Sequence, residues 1–289
     1  MRRVLAGMCW TFGLVALMVA PLQAANAQGS ARARETRTAA RAAVTPDCRF
    51  EATATGRVRA VSDGRSFTLD DGREIRLLGI EVPLPPAAAE RGERAEADRV
   101  AAEAARAALA ALIAGQEVEL RPEGADRYGR ELALVRRGDG EPARDLLARG
   151  YARVAAQVGS LACASLLWER ERAAREGKLG LWGEAYYAVM RADDLAGLVA
   201  EQGQFAVVEG KVASVRESGG TIYVNFGRRW SQALTITISK RNERNLAAAG
   251  REPQRLENRQ VRVRGWLEER SGPRIEVSRP EQIEIAERY

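Results

Sequence analysis

From Glu51 to Ile80, apolar and polar residues alternate in short runs: Thr55 to Val61, Ser66 to Leu69 and Glu74 to Ile80, parted by Asp63-Gly64 and Asp70-Asp71-Gly72. Alternation at every second position marks a half-buried strand and Asp-Gly a tight turn, so these runs predict strands joined as hairpins. The pattern then lengthens. Ala87 to Ala114 is alanine-rich, with Glu and Arg interspersed, and stops at Gly115, which predicts a helix. Two more strands are expected at Glu117 to Arg121 and Glu131 to Arg136. Helices are expected at Pro142 to Arg149, closed by Gly150, and at Leu161 to Arg175, with Leu166, Leu167 and Ala173 on its buried side. Five strands carrying helices predict a mainly β domain, an OB-type barrel.

A second β-rich pattern follows a polar stretch, residues 184–202, that reads as a helical connector. Phe205 to Val215, Thr221 to Phe226 and Ala233 to Ser239 alternate, a helical run covers Lys240 to Ala249, and further strands are expected at Gln260 to Glu268, Arg274 to Val277 and Gln282 to Ile285. Strand, strand, strand, helix, strand, strand predicts a second small OB-like barrel over 203–289. At the other end, Met1-Arg2-Arg3, an apolar run from Val4 to Ala20, and Ala25-Asn26-Ala27 have the form of a Sec signal peptide cleaved after Ala27. Export to a periplasm or out of the cell is therefore expected. Residues 28–47, rich in Ala, Arg, Ser and Thr, lack the large apolar side chains an ordered segment needs and read as a disordered linker. The first barrel is then expected over 48–183.

Composition narrows the chemistry. The chain has 289 residues, enough for two modest cores, and no histidine. Ser-His-Asp hydrolysis and histidine-ligated zinc are excluded, which leaves carboxylates, arginines and hard metals. Of the three cysteines, Cys48 and Cys163 remain after signal cleavage, and outside the reducing cytosol a disulfide between them is expected. The net charge of +6 suggests a polyanion partner until it is divided along the chain: residues 48–183 carry 22 basic and 22 acidic side chains. Phosphate affinity there must come from how the arginines are placed.

The residues that carry chemistry fall in an ordered set. Val61-Ser62-Asp63-Gly64-Arg65-Ser66-Phe67 is followed by Ile75-Arg76-Leu77-Leu78-Gly79-Ile80-Glu81-Val82-Pro83, then Asp126-Arg127-Tyr128-Gly129-Arg130, Leu147-Ala148-Arg149-Gly150-Tyr151-Ala152 and Gly180-Leu181-Trp182. This set, from about Cys48 to Trp182, resembles the thermonuclease (staphylococcal-nuclease-like) family. The resemblance implies a nucleic-acid or phosphodiester ligand and hydrolysis with a calcium ion held by carboxylates, a glutamate that activates water and two arginines that brace the phosphate. Arg76 and Arg130 match the two arginines by position. Glu81 stands at a metal-binding carboxylate, with the Val82 carbonyl a further ligand, and Arg127 and Tyr128 stand beside the ligand.

Two positions depart from the family pattern. Arg65 replaces a metal-binding aspartate, where a cation repels calcium, and Leu84 replaces the water-activating glutamate. The tyrosines that the family sets against the nucleotide are also absent, with Ala156 and Val158 in that region. Calcium-dependent endonuclease or phosphodiesterase activity is thus expected to be weak or lost, unless Asp63, Asp70, Glu90 or Glu93 substitutes, or Arg65 joins Arg76 and Arg130 in a clamp that binds phosphate without cutting it. The alternative is a non-catalytic binding or scaffolding module for a protein or cell-envelope partner. In the second barrel Tyr223, Phe226, Trp230 and Trp266 lie among Arg228, Arg229, Arg262 and Arg264. These residues read either as core aromatics with a solvated arginine face or as a base-stacking surface.

Overall fold

The computed structural model describes residues 50–158 and 160–286. The expected signal peptide, the expected linker over 28–47 and Cys48 lie outside these. The described residues belong to one compact unit.

The first half contains β1 (Ala54–Asp63), β2 (Ser66–Leu69), β3 (Glu74–Leu77), β4 (Ile80–Glu81), α1 (Glu93–Ile113), β5 (Glu117–Ala125), β6 (Glu131–Arg136), α2 (Pro142–Ala148), β7 (Arg153–Val154) and α3 (Leu161–Glu176). Strands β1, β2, β3, β6 and β5 hydrogen-bond in that order into a closed barrel of OB type. Its inward rows are Val58, Phe67, Leu69, Ile75, Leu77, Val118, Leu120, Ala133 and Val135. Ala105, Leu109 and Ile113 of α1, with Leu146 and Leu147 of α2, close the same core. Each such aliphatic or aromatic side chain removed from water contributes on the order of 1.5–3 kcal/mol.

Three local features differ from the sequence expectation. The strand expected from Glu74 to Ile80 stops at Leu77. Gly79 takes a φ of 81°, which only glycine adopts cheaply, and turns the chain so that Ile80 and Glu81 leave the barrel and pair with β7. The helix expected from Ala87 begins at Glu93, because the N-cap Gly92 takes a φ of 106°, which no right-handed helix contains. In α3 Leu167 is buried, but Leu166 is 39 % exposed and Ala173 is exposed. The covered stripe is Cys163, Ala164, Leu167, Trp168, Glu171 and Ala174.

The second half contains β8 (Met190–Arg191), α4 (Leu195–Ala200), β9 (Phe205–Lys211), β10 (Ser214–Ser218), β11 (Thr221–Asn225), β12 (Thr235–Ser239), α5 (Lys240–Ala248), β13 (Gln260–Glu269), β14 (Pro273–Glu276) and β15 (Ile283–Ile285). The stretch read as a helical connector thus holds a short strand and a short helix. The ladder runs β10-β11-β12-β14-β13-β9-β8, with β15 also on β13, and does not close on itself. The single strand expected from Phe205 to Val215 breaks at Val212-Ala213. The Val212 N–H donates to the Arg259 carbonyl on one side, and the Ala213 N–H to the Asn225 carbonyl on the other. Covalent chain at Val212-Ala213, in place of a ladder, joins β10, at one end of the path, to β9, which lies one strand in from the other end.

The halves meet on charge as well as on apolar surface. Ala174 and Trp182 pack with Phe205 and Val207. Beside them Arg264 of β13, fully buried, places Nη1 2.8 Å from Glu171 Oε2 of α3 and Nη2 2.9 Å from Glu284 Oε2 of β15. The Val154 N–H donates to Glu171 Oε1 at 2.7 Å, which satisfies the other carboxylate oxygen.

Candidate phosphate-binding site

The β1–β2 turn sets the first cation. The Arg65 N–H donates to Asp63 Oδ1 at 2.8 Å, and the Leu77 N–H donates to the Arg65 carbonyl at 2.7 Å, which pins the turn to β3. Arg65, only 3 % exposed, sends its guanidinium to Glu81, itself 6 % exposed, in a buried ion pair. Ser66 of β2 faces Arg76 of β3 in register, which puts Arg76 on the neighbouring strand. Arg130 is brought in by the β5–β6 turn, where Asp126 organises everything. Asp126 Oδ1 accepts from the Tyr128 N–H at 2.8 Å and the Arg130 N–H at 3.1 Å, and Oδ2 accepts from Arg130 Nε at 2.8 Å. Arg76 Nη1 lies 3.7 Å from the same Oδ2.

Arg65, Arg76, Glu81 and Arg130 therefore gather on one side of the first barrel, in mutual electrostatic contact. The Arg76 guanidinium shows this most directly. Burial presses its pKa below the ordinary arginine value and so does Arg65; Glu81 opposes them, Arg130 adds to the depression and Asp63 opposes it. Arginine stays charged at such values, so the meaning is an excess of positive potential that an incoming anion would relieve. Tyr128 is 68 % exposed, with the Arg127 and Arg130 guanidinium carbons 4.9 and 5.3 Å from its ring centroid.

Glu81 is the least ordinary group. Burial raises its carboxyl pKa above the usual value against the opposing pull of Arg65, Arg76 and Arg153. Its Oε1, like Arg65 Nε, has no hydrogen-bond partner among the described residues. That carboxylate also lines a cleft of about 460 Å³ between the halves, with Phe205, Trp266 and Arg279 on the far wall. Arg153, in register with Glu81, is buried under the rings of Tyr187 and Phe205, at 5.4 and 5.1 Å.

A calcium ion does not fit this arrangement. It needs six to eight oxygen ligands. Here the buried carboxylate is already engaged by a guanidinium, and the charges around it are Arg65, Arg76 and Arg153. The Asp63 Oδ1 that could assist is taken by a backbone N–H. Asp70, Glu90 and Glu93 are exposed side chains. Leu84 is 45 % exposed and has no atom that accepts a proton.

Sequence reading missed two contributors. Asp126 stood in the motif with no role of its own, yet it holds both Arg76 and Arg130. Arg153 gave no signal, because a charged residue in a two-residue strand reads as surface. In the second half Phe226 is buried, and Arg262 and Arg264 are ion-paired, Arg264 fully buried, so they belong neither to a solvated face nor to a base-binding surface. Cys163 is 9 % exposed, and Cys48, with which a disulfide is expected, lies outside the described residues. Among the described residues no helix is long and apolar enough to cross a membrane.

Residues 74–184 match the family described as Staphylococcal nuclease homologue. The match runs from β3 to the turn after α3, so it includes Arg76, Glu81 and Arg130 but neither Arg65 nor the second sheet. No curated protein matches the chain. A staphylococcal-nuclease-like domain suggests nucleic-acid binding or nuclease activity, and its family is in general calcium-dependent.

Proposed function

We propose that the first barrel binds nucleic acid through its phosphates, with Arg76 and Arg130 as the phosphate-holding pair, and that calcium-dependent cleavage is weak or lost. The observation that carries this reading is the buried Arg65–Glu81 pair, a cation of the protein's own seated on the carboxylate a metal would need. Arg76 and Arg130 share one carboxylate oxygen, so each keeps guanidinium N–H groups for an anion, and paired guanidinium forks suit a phosphodiester. Tyr128 and Arg127 supply the edge of the site, and Leu84 leaves no general base at the position where water would be activated. In this reading the chain is exported after cleavage at Ala27 and acts in a periplasm or outside the cell, where Cys48 and Cys163 are bridged.

The test is an oligonucleotide assay with calcium and with chelator on single- and double-stranded DNA and RNA. Expected is binding that weakens with salt and with Arg76→Ala or Arg130→Ala, and little or no metal-dependent cutting. Calcium-dependent cutting by the natural chain would overturn the loss of catalysis, and retention of full binding by both arginine variants would overturn the site. Arg65→Asp with Leu84→Glu should create or raise calcium-dependent cleavage, the restored base alone supplying roughly 10²–10⁴ in rate. A folded but inert double variant would show that the two positions are not where the chemistry was lost.

A further inference from the structure

The outer face of the second sheet carries a groove of its own. Strand register builds it: Arg216, Tyr223 and Thr237 lie side by side across β10, β11 and β12, and Asn225, Thr235 and Arg274 across β11, β12 and β14. Their neighbours in sequence, Ile222, Val224, Ile236 and Ile275, point the other way into the core. The floor is thus polar and small, with Thr235 Oγ1 donating to Asn225 Oδ1 at 3.2 Å. Trp230, 57 % exposed, stands at one wall, and the Arg270–Gly272 turn between β13 and β14 lies against the Trp230–Ser231 backbone. The enclosed volume is about 420 Å³.

Charge selects the occupant. Arg216 and Arg270 line the groove and, among the described residues, make no ion pair, while Arg274 is held by Glu268. No carboxylate is part of the lining. We infer that this groove binds a single-stranded nucleic acid, with Trp230 and Tyr223 as stacking faces and Arg216 and Arg270 on the phosphates. The exposed indole decides for a single strand: its face can stack only on a base that is not already stacked in a duplex. An anionic polysaccharide would use the same arginines and pack its sugar C–H groups on the indole, but a base offers a full π-face, worth about 1–3 kcal/mol of stacking, and heparin is the control. This site lies on a different sheet from the Arg76–Arg130 cluster and stands or falls separately from it.

The experiment uses the full chain and a short fluorescein-labelled oligothymidylate, followed by anisotropy over a range of potassium chloride in the presence of chelator. Trp230→Ala should weaken binding roughly tenfold and Trp230→Phe much less, because stacking and not bulk is lost. Arg270→Ala and Arg216→Ala should each reduce the slope of log affinity against log salt by about 0.7, one phosphate contact each. Arg270→Glu should weaken binding further and, being exposed, gives a second reading if Trp230→Ala folds poorly by circular dichroism. Unchanged affinity in folded Trp230→Ala and Arg270→Glu chains, a duplex that competes as well as the single strand, or heparin binding that depends on these residues while oligothymidylate does not bind would each overturn the proposal. Losses confined to the Trp230 and Arg270 variants would support the groove and count against the barrel site, whereas losses confined to Arg76→Ala and Arg130→Ala would do the reverse.

Discussion

Asp126 shows how one carboxylate can hold a binding cluster in place. Burial on its own would raise its pKa, but the hydrogen bonds from the Arg130 side chain and from the Tyr128 and Arg130 backbone N–H groups outweigh burial and hold it below the ordinary 3.8. A carboxylate whose pKa is lower folded than unfolded contributes stability that is complete above the unfolded value and is lost as pH falls through the folded one. Denaturant titrations should therefore show this contribution intact from neutral pH to about pH 4 and declining below. Asp126→Asn, which does not titrate, should flatten that part of the acid limb, and an unchanged limb would mean the shift has no energetic weight. At this scale Arg76, Glu81 and Arg130 could be singled out from the sequence because they sit in an ordered motif. That Arg65 takes Glu81 as its own partner was not legible: side chains sixteen residues apart meet only once Gly79 has swung Glu81 out of the barrel.

Among the elements, the β1–β2 and β2–β3 turns were readable from Asp63-Gly64 and Asp70-Asp71-Gly72, while the register shifts along β1 and the ends of β3 and β5 were not. Helix faces were less readable. The sequence of α3 offers Leu166 and Leu167 as equals, and the choice between them is made by what lies opposite, a barrel on one side and the second sheet on the other. The contact between α1 and the β1–β2 turn is a further constraint that periodicity could not reveal. A Cβ on Gly64 would fall 2.5 Å from the Ala105 Cβ, so only glycine lets the helix approach the turn that aims Arg65. Gly64→Ala should cost about 1–3 kcal/mol in thermal or urea denaturation. Pairing it with Ala105→Gly should recover part of that, less the roughly 1 kcal/mol that glycine costs inside a helix. Failure of the pair to recover anything would place the clash elsewhere.

For the whole molecule, two β-rich halves were legible as patterns, while the way they are joined was not. On β13, Val261 and Val263 face the second core, so the alternate positions Arg262 and Arg264 look like a wet face. In the folded chain that face is covered by α3, and Arg264 meets Glu171 where neither has any exposure. Removing one partner of such a buried pair typically costs about 3–5 kcal/mol, whereas replacing both by apolar residues costs far less. Arg264→Met alone should therefore be strongly destabilising in urea titrations, and Arg264→Met with Glu171→Leu milder. Equal losses would show that the Glu171 charge left without Arg264 carries no penalty. The welded junction bears on how this chain can be handled: the nuclease-like portion is not a transplantable module. A chimera that borrowed it without β13 would carry a naked carboxylate on its new outer wall, and a protease nick in the 184–202 stretch would leave two fragments, each still needing the other's charge.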